Sequence, residues 1–199
     1  MPTLSVITLT VPQRQEQLEL LKAELAKQIG DHDVEHFIQE GLEPYGTKMR
    51  MSLEAARGQY VCWMDDDDWP SPDYISELVN GIGNSPDVIT FGSYTPGSVS
   101  HCWLRANRED NCESTELYIV KTANHYCAWK REIALSAPWL PRWYGAEVVW
   151  YTLLSLGYPN LVEHHIPKIL HEYRYDSSKT LCQNRKAIDA SLKNDHIHV

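Results

Sequence analysis

No apolar run in the sequence approaches the roughly 18 residues of a membrane-spanning helix, and the first residues lack the basic stretch of a signal peptide. A basic excess is also absent, because 18 Lys and Arg residues stand against 27 Asp and Glu residues, for a net charge of −9. Generic polyanion binding requires a basic stripe, and none is visible. We therefore expect a cytoplasmic protein without a membrane span, for which non-specific nucleic-acid binding is disfavoured.

Cysteine pairs and phenylalanine are scarce as well. The five cysteines form an odd set without the spacing of a disulfide framework, which favours reduced thiols. Only two Phe residues accompany seven Trp and eleven Tyr residues. Because rings with a polar group suit half-wet pockets, this excess favours a ligand-binding cleft. The 199 residues, of which 43% are hydrophobic, suffice for one globular domain.

The first three predicted strands alternate with segments of helical periodicity. The predicted elements are a strand at Leu4–Thr10, a helix through Leu18 and Ile29 to Gly30, a strand at Val34–Gln39, a helix capped by Thr47 and ended by Gly58, and a strand at Tyr60–Met64. This order predicts a βαβαβ unit with right-handed crossovers. The third strand is wholly apolar, which is typical of a mostly parallel sheet flanked by helices. The predicted fold class is therefore α/β.

The pattern is less regular in the second half of the chain. It predicts helices at Pro72–Asn80, Lys130–Ser136 and Glu147–Leu156, and short strands at Val88–Phe91, Val99–Leu104 and Leu117–Val120. We place a single domain at residues 1–180 and expect residues 181–199 to form a polar C-terminal tail.

Four consecutive aspartates, Asp65 to Asp68, follow the third predicted strand directly. In an open α/β sheet, ligands bind outside the carboxyl ends of the strands, where this cluster must lie. Adjacent carboxylates repel one another, and their oxygen atoms suit Mg²⁺ or Mn²⁺ together with substrate phosphates. If the run keeps strand-like alternation, Asp65 and Asp67 share one side. The competing interpretation is a solvated acidic turn.

The acidic run belongs to a longer motif. Residues 48–73 carry an Ala-Arg-Gly-x-Tyr-Val step at 56–61, the aspartates at 65–68 and Pro72-Asp73. This segment resembles the family-2 glycosyltransferases, which have the GT-A fold and a DxD motif at the aspartates. The likeness is specific because it ties a helix, a strand, an acidic turn and the start of another helix together.

Other segments extend the resemblance to roughly residues 4–180. Ser5–Thr10 looks like the family's first strand, His125–Ile133 looks like its acceptor-side segment, and Ile169–Ser177 is similar to the close of its catalytic domain. Gly145–Trp150 looks like the family's "GEDxxW" segment, whose acidic residue is the catalytic base of inverting members. Ala146 stands where that segment has its first acid, and Glu147 stands where it has Asp.

The resemblance implies a minimal, metal-dependent, inverting glycosyltransferase. Such an enzyme moves a hexose from a nucleotide-diphosphate sugar, for which we expect a UDP-sugar, to an acceptor hydroxyl. The implied cofactor is Mn²⁺ or Mg²⁺, with Asp67 as direct ligand and His171 completing the metal shell. Asp65 would hold the ribose or a metal-bound water. Glu147 is the implied general base.

The same resemblance implies a nucleotide pocket. Thr10, Arg14 and Glu40 would line it, and Lys48 and Arg50 would lie near the phosphates. Glu40, Lys48 and Arg50 are also compatible with solvated surface positions, and Asp66 receives no role.

Neither the acceptor nor the oligomeric state follows from these residues, so a glycan, a protein or a modified nucleobase all stay open as acceptor. Two other functions fit the sequence. One is a catalytically impaired module that binds a sugar nucleotide and a cation, because Ala146 departs from the family's pattern. The other is a metal-dependent phosphoryl-transfer enzyme, because acidic clusters also support two-metal chemistry.

Overall fold

A computed structural model describes residues 1–104 and 118–174, with the backbone alone for 118–120. The strands are β1 (Leu4–Thr10), β2 (Val34–Glu40), β3 (Tyr60–Trp63), β4 (Trp69–Pro70), β5 (Val88–Thr95), β6 (Ser98–Trp103), β7 (Tyr118–Thr122), β8 (Ala128–Lys130) and β9 (Glu163–Glu172). The helices are α1 (Gln15–Ile29), α2 (Tyr45–Ala55), α3 (Tyr74–Ile82), α4 (Arg131–Ser136) and α5 (Ala146–Gly157).

One sheet has the strand order β2-β1-β3-β8-β5-β6-β7. Strand β1 runs parallel to both β2 and β3, so the predicted βαβαβ unit is present. Strand β8 is antiparallel to β3 and to β5 and joins this parallel half to the rest of the sheet. Strand β9 runs parallel to β5, with which it pairs, and it also pairs with the two residues of β4, to which it is antiparallel. The predicted α/β class is confirmed.

Strand β1 is buried along its whole length. Its polar residues are satisfied, since Ser5 Oγ donates to Glu35 Oε1 at 2.6 Å and Thr8 Oγ1 donates to the Met64 carbonyl at 2.9 Å. Buried hydroxyls without such partners would cost about 1–3 kcal/mol each. The strand is therefore a rigid support for the residues that follow it.

The Trp residues serve the core more than a cleft. Rings of four of them pack together, with Trp139 stacked on Trp150 at 4.7 Å between centroids and Trp63 and Trp129 edge-on or tilted beside them. The indole Nε1 of Trp150 donates to the Ala134 carbonyl at 3.0 Å. The aromatic excess predicts a ligand-binding cleft, but the structure places these four Trp rings in the core.

Two sequence expectations about elements are wrong. Helix α2 begins at Tyr45 after Pro44, so Thr47 lies inside the helix and does not cap it. The ten residues of β9 were not predicted as a strand, because Pro167 and three His residues interrupt its apolar pattern.

The structure leaves two further expectations untested. The domain end at residue 180, the tail at 181–199 and the last residues of the closing segment lie outside the described residues. Among the helices of residues 1–104 and 118–174, none has the length and apolar character that crossing a bilayer requires.

Candidate active site

The acidic run turns away from the sheet at the carboxyl end of β3. The amide of Asp68 donates to the Asp65 carbonyl at 3.1 Å, which closes the turn. Exposure alternates along the run, since Asp66 and Asp68 are buried whereas Asp65 and Asp67 are half-buried. We call residues 65–68 the acidic corner.

Asp66 connects the acidic corner to the end of β1. Its Oδ2 accepts a hydrogen bond from Thr10 Oγ1 at 2.7 Å, and its Oδ1 lies 2.6 Å from Arg14 Nη1. The same Arg14 nitrogen lies 3.0 Å from Asp67 Oδ2. Sequence reasoning missed Asp66, because its partners lie more than 50 positions away along the chain.

The carboxylates of the acidic corner repel one another. Burial raises the pKa of Asp67 to about 6; Arg14 opposes this shift, and Asp68 and Asp66 add to it. Burial, together with the charges of Asp68, Asp67 and Asp66, raises the pKa of Asp65 well above its usual range. A divalent cation would relieve this repulsion, and carboxylate oxygens are the ligands that Mg²⁺ and Mn²⁺ prefer. The donor set at this corner therefore fits such an ion.

Lys48 contributes a second positive charge from α2. Its Nζ donates to the Thr10 carbonyl at 3.0 Å and to the Gly41 carbonyl at 3.2 Å. Burial lowers the pKa of Lys48, while Asp66 and Asp65 raise it. The ammonium group is therefore held by backbone oxygens next to the acidic corner.

One cleft brings most of the predicted site residues together. The side chains and backbone that line it belong to Leu9, Thr10, Val11, Arg14, Tyr45, Lys48, Asp65, Asp66, Asp67 and Tyr173. Tyr45 and Tyr173 are additions that the sequence did not indicate.

Glu40 and Arg50 are not among the residues that line this cleft. Glu40 is exposed at the end of β2, where Gln15 Nε2 lies 3.5 Å from its carboxylate. Arg50 is exposed and lies 4.0 Å from Glu54. Residues two positions apart on a helix are separated by about 200° around its axis, so Arg50 faces away from Lys48.

His171, on β9, contacts the acidic corner at Asp68 rather than at Asp67. Its Nε2 lies 2.9 Å from Asp68 Oδ2, and its Nδ1 lies 2.8 Å from Ser93 Oγ. The imidazole also stacks on Tyr126 at 4.6 Å between centroids. Both ring nitrogens are therefore engaged within the protein, and the role of His171 as a metal ligand stays a prediction.

Glu147 lies in the first turn of α5, and burial raises its pKa. A Cβ added at Gly46 would lie 2.8 Å from the Cβ of Ala146, so α5 begins in direct contact with the start of α2. Gly46 follows Tyr45, which lines the cleft. Glu147 is thus the second residue of a helix that begins against the start of α2, and it is not one of the residues that line the cleft.

The same packing accounts for Ala146. Its side chain is fully buried and lies against Gly46, so an acidic side chain at this position would have to be buried at the contact between α2 and α5. The small residue at position 146 is compatible with this close contact.

His125 lies on the acceptor-side segment. Burial lowers its pKa to about 4; the charge of His171 contributes, and Asp68 opposes the shift. Its ring contacts those of Tyr45 and Tyr126 edge-on, at 6.4 Å and 5.8 Å between centroids. The imidazole is therefore neutral near pH 7.

Residues 19–135, more than half of the chain, match the model of a protein family described as glycosyl transferase family 2. A Bacillus subtilis (strain 168) protein named as a glycosyltransferase, EpsH, is 33% identical to this chain over 66 residues, which are 33% of this chain and 18% of EpsH.

Two solved structures share the fold at low sequence identity. S. aureus TarS 1-349, in complex with UDP-GlcNAc, has a TM-score of 0.60 and 12% identity, with 89% of this chain and 59% of that chain covered. Glucosyl-3-phosphoglycerate synthase from Mycobacterium tuberculosis, in complex with Mn²⁺, UDP and phosphoglyceric acid, has a TM-score of 0.62 and 16% identity, covering 97% and 78%. The chain thus spans about three-fifths of TarS 1-349 and less than a fifth of EpsH. The expected fold is confirmed.

Proposed function

The chain belongs to glycosyl transferase family 2 and has the GT-A fold, and on this basis we propose that it transfers a sugar from a nucleotide-diphosphate donor to an acceptor hydroxyl. The observation that carries the proposal is the single cleft in which Thr10, Arg14 and Lys48 meet the acidic corner. We choose a UDP-sugar as donor, because TarS and the synthase carry UDP-GlcNAc and UDP in their structures.

Asp67 and Asp65 would hold Mn²⁺ or Mg²⁺. When bound, such a cation neutralises charge that develops on the leaving diphosphate. Among residues 1–104 and 118–174, no three His, Cys, Asp or Glu side chains converge on a point that could hold an ion. The two carboxylates would therefore share it with oxygen atoms of the donor, as is usual for Mg²⁺. His171 would support this site through Asp68 unless its imidazole turns towards the ion.

Thr10, Arg14 and Lys48 would bind the nucleotide. Arg14 and Lys48 supply positive charge next to the carboxylates, where a diphosphate would lie. Glu40, which is exposed at the end of β2 outside the lining of the cleft, would accept a hydrogen bond from the base. Of these residues, Arg50 is the least suited to bind the phosphates, because its guanidinium group faces Glu54 on the outer side of α2.

Glu147 would take the proton from the acceptor hydroxyl in an inverting, single-displacement reaction. A raised pKa brings a carboxylate nearer to the value that makes an effective general base near neutral pH. Its helix begins in contact with the start of α2, and Glu147 itself is not among the residues that line the donor cleft. A glycan, a protein and a modified nucleobase are the acceptor classes to compare.

We place the reaction in the cytoplasm. Cys62, Cys102 and Cys127, the cysteines that the described residues contain, are free buried thiols. Free thiols are the rule in reducing compartments.

The test uses a panel of sugar nucleotides with Mn²⁺, read by thermal shift and by nucleotide release. Asp67→Ala is expected to abolish Mn²⁺-dependent stabilisation by the donor, whereas Asp31→Ala, at an exposed position, is the matched control. Glu147→Gln is expected to keep donor binding and to lose at least about 100-fold in transfer. Glu132→Gln, an exposed acid in the first turn of α4, is its control.

Each outcome has a separate meaning. Full Mn²⁺-dependent binding by Asp67→Ala would refute the metal assignment, and full transfer by Glu147→Gln would refute the base. Binding of a donor by the wild-type protein without transfer or hydrolysis would favour the binding module. Product stereochemistry, determined by NMR, tests inversion.

A further inference from the structure

Arg14 lies inside the candidate cation site. Its Nη1 lies 2.6 Å from Asp66 Oδ1 and 3.0 Å from Asp67 Oδ2, so one nitrogen contacts two carboxylates. The short turn Pro12–Arg14 follows the end of β1 by one residue and directs the side chain to this point. A guanidinium group and a divalent cation would therefore compete for Asp67.

The two ion pairs of Arg14 differ in burial. The side chain of Asp66 is 1% exposed, whereas that of Asp67 is 23% exposed. Removing the partner of a fully buried charge leaves that charge uncompensated and is costly, but a carboxylate that still reaches solvent can exchange one partner for another at a lower cost. Arg14 should therefore keep Asp66 and release Asp67.

Lys48 cannot make the same exchange. Its ammonium group is bound to the backbone carbonyl oxygens of Thr10 and Gly41. Arg14, by contrast, contacts two carboxylates of the acidic corner directly.

We propose that Arg14 is a resident counter-ion of the acidic corner, which releases Asp67 when a divalent cation binds and then pairs with the diphosphate of the donor. This proposal rests on the proposed function. Arg14 keeps its contact with Asp66 in both states, so the guanidinium group pivots over a short distance. In the absence of ligands its positive charge holds together two carboxylates that would otherwise repel each other.

The exchange couples the two ligands. Mn²⁺ alone must displace Arg14 from Asp67, and a diphosphate alone must draw Arg14 away from the same carboxylate. When both bind, the free energy needed to separate Arg14 from Asp67 is required only once, so each ligand strengthens the binding of the other. Without Arg14, the coupling that remains is the direct attraction between the cation and the phosphates.

The experiment measures Mn²⁺ binding by electron paramagnetic resonance, with and without UDP, after correction for Mn²⁺–UDP association measured without protein. The proteins are wild type, Arg14→Gln and the control Lys27→Gln, which removes a charge from the exposed side chain of Lys27 on α1. We expect UDP to strengthen Mn²⁺ binding about tenfold more in wild type and in Lys27→Gln than in Arg14→Gln. Mn²⁺ alone should bind Arg14→Gln more tightly than it binds wild type.

Equal coupling in wild type and Arg14→Gln would overturn the proposal while leaving the proposed function intact. Absence of Mn²⁺ binding to wild type, with and without UDP, would overturn both. A second measurement needs no variant that could misfold. In wild-type protein with ¹⁵N-labelled arginine, Mg²⁺ is expected to shift one set of arginine side-chain signals, and UDP to shift the same set again. Arginine signals unchanged at saturating Mg²⁺ would also overturn the proposal.

Discussion

Restoring the acid that the family's pattern has at position 146 tests how the start of α5 is packed. In the variant Ala146→Asp, a carboxyl group would replace a methyl group that is fully buried. The methyl group lies against Gly46, since a Cβ added at Gly46 would lie 2.8 Å from the Cβ of Ala146. The new side chain must therefore remain buried without a partner or force α5 away from α2.

The expected loss of stability can be worked from these contacts. Burying an unpaired polar group costs about 1–3 kcal/mol, and overpacking a tight contact costs about 1–3 kcal/mol more. The dipole at the helix N-terminus stabilises a carboxylate in the first turn by about 0.3–1 kcal/mol, which offsets part of this cost. The free energy of unfolding should therefore fall by about 1–6 kcal/mol.

Urea unfolding of the wild type, Ala146→Asp and Val148→Asp measures the effect. Val148 lies in the same turn of α5 but is 47% exposed, so a carboxylate there should change the unfolding free energy by no more than about 0.5 kcal/mol. Transfer activity should not rise in Ala146→Asp. Similar stability of the two variants, or a gain of activity in the first, would refute the explanation of Ala146.

Two other predictions concern histidines. Replacing His171 by Ala removes one partner of the buried Asp68, which keeps the hydrogen bond from the Arg174 amide, and should lower the free energy of unfolding by about 1–3 kcal/mol, measured in urea. A loss below about 0.5 kcal/mol would show that Asp68 does not depend on His171. The folded-state pKa of His125, about 4, lies below the usual 6.5, so the unfolded chain binds the extra proton and stability should fall as pH decreases from about 6.5 to 4. The variant His125→Gln should flatten this dependence in urea unfolding at several pH values, and an unchanged profile would assign the acid sensitivity to other groups.

The contacts at the acidic corner explain why some site residues were predictable and others were not. Asp65 and Asp67 could be found because they follow an apolar strand in an α/β sheet, and the order of elements places that strand end at the ligand-binding edge. The sequence assigns no role to Asp66, since nothing in the neighbouring residues distinguishes it from the other aspartates. Its hydrogen bonds to Thr10 and Arg14 join residues more than 50 positions apart.

The same distinction holds for β9 and for Arg50. Strand β9 escaped prediction because its stability comes from pairing with β5 and β4, and its own sequence contains Pro167. Arg50 was grouped with Lys48 because the two are near in sequence, although on α2 they face different directions.

Hydrophobic periodicity and the acidic run, read along the chain, were sufficient for the α/β class, the order of the first five elements and the carboxylates at the end of β3. These features depend on neighbours a few residues away, where backbone geometry relates spacing directly to side-chain direction. Tertiary structure alone decided that Arg14 lies between two aspartates, that His171 pairs with Asp68 across 103 positions, and that Ala146 is buried against Gly46. Such contacts depend on how separate elements pack against one another, and no local pattern in the chain encodes that packing.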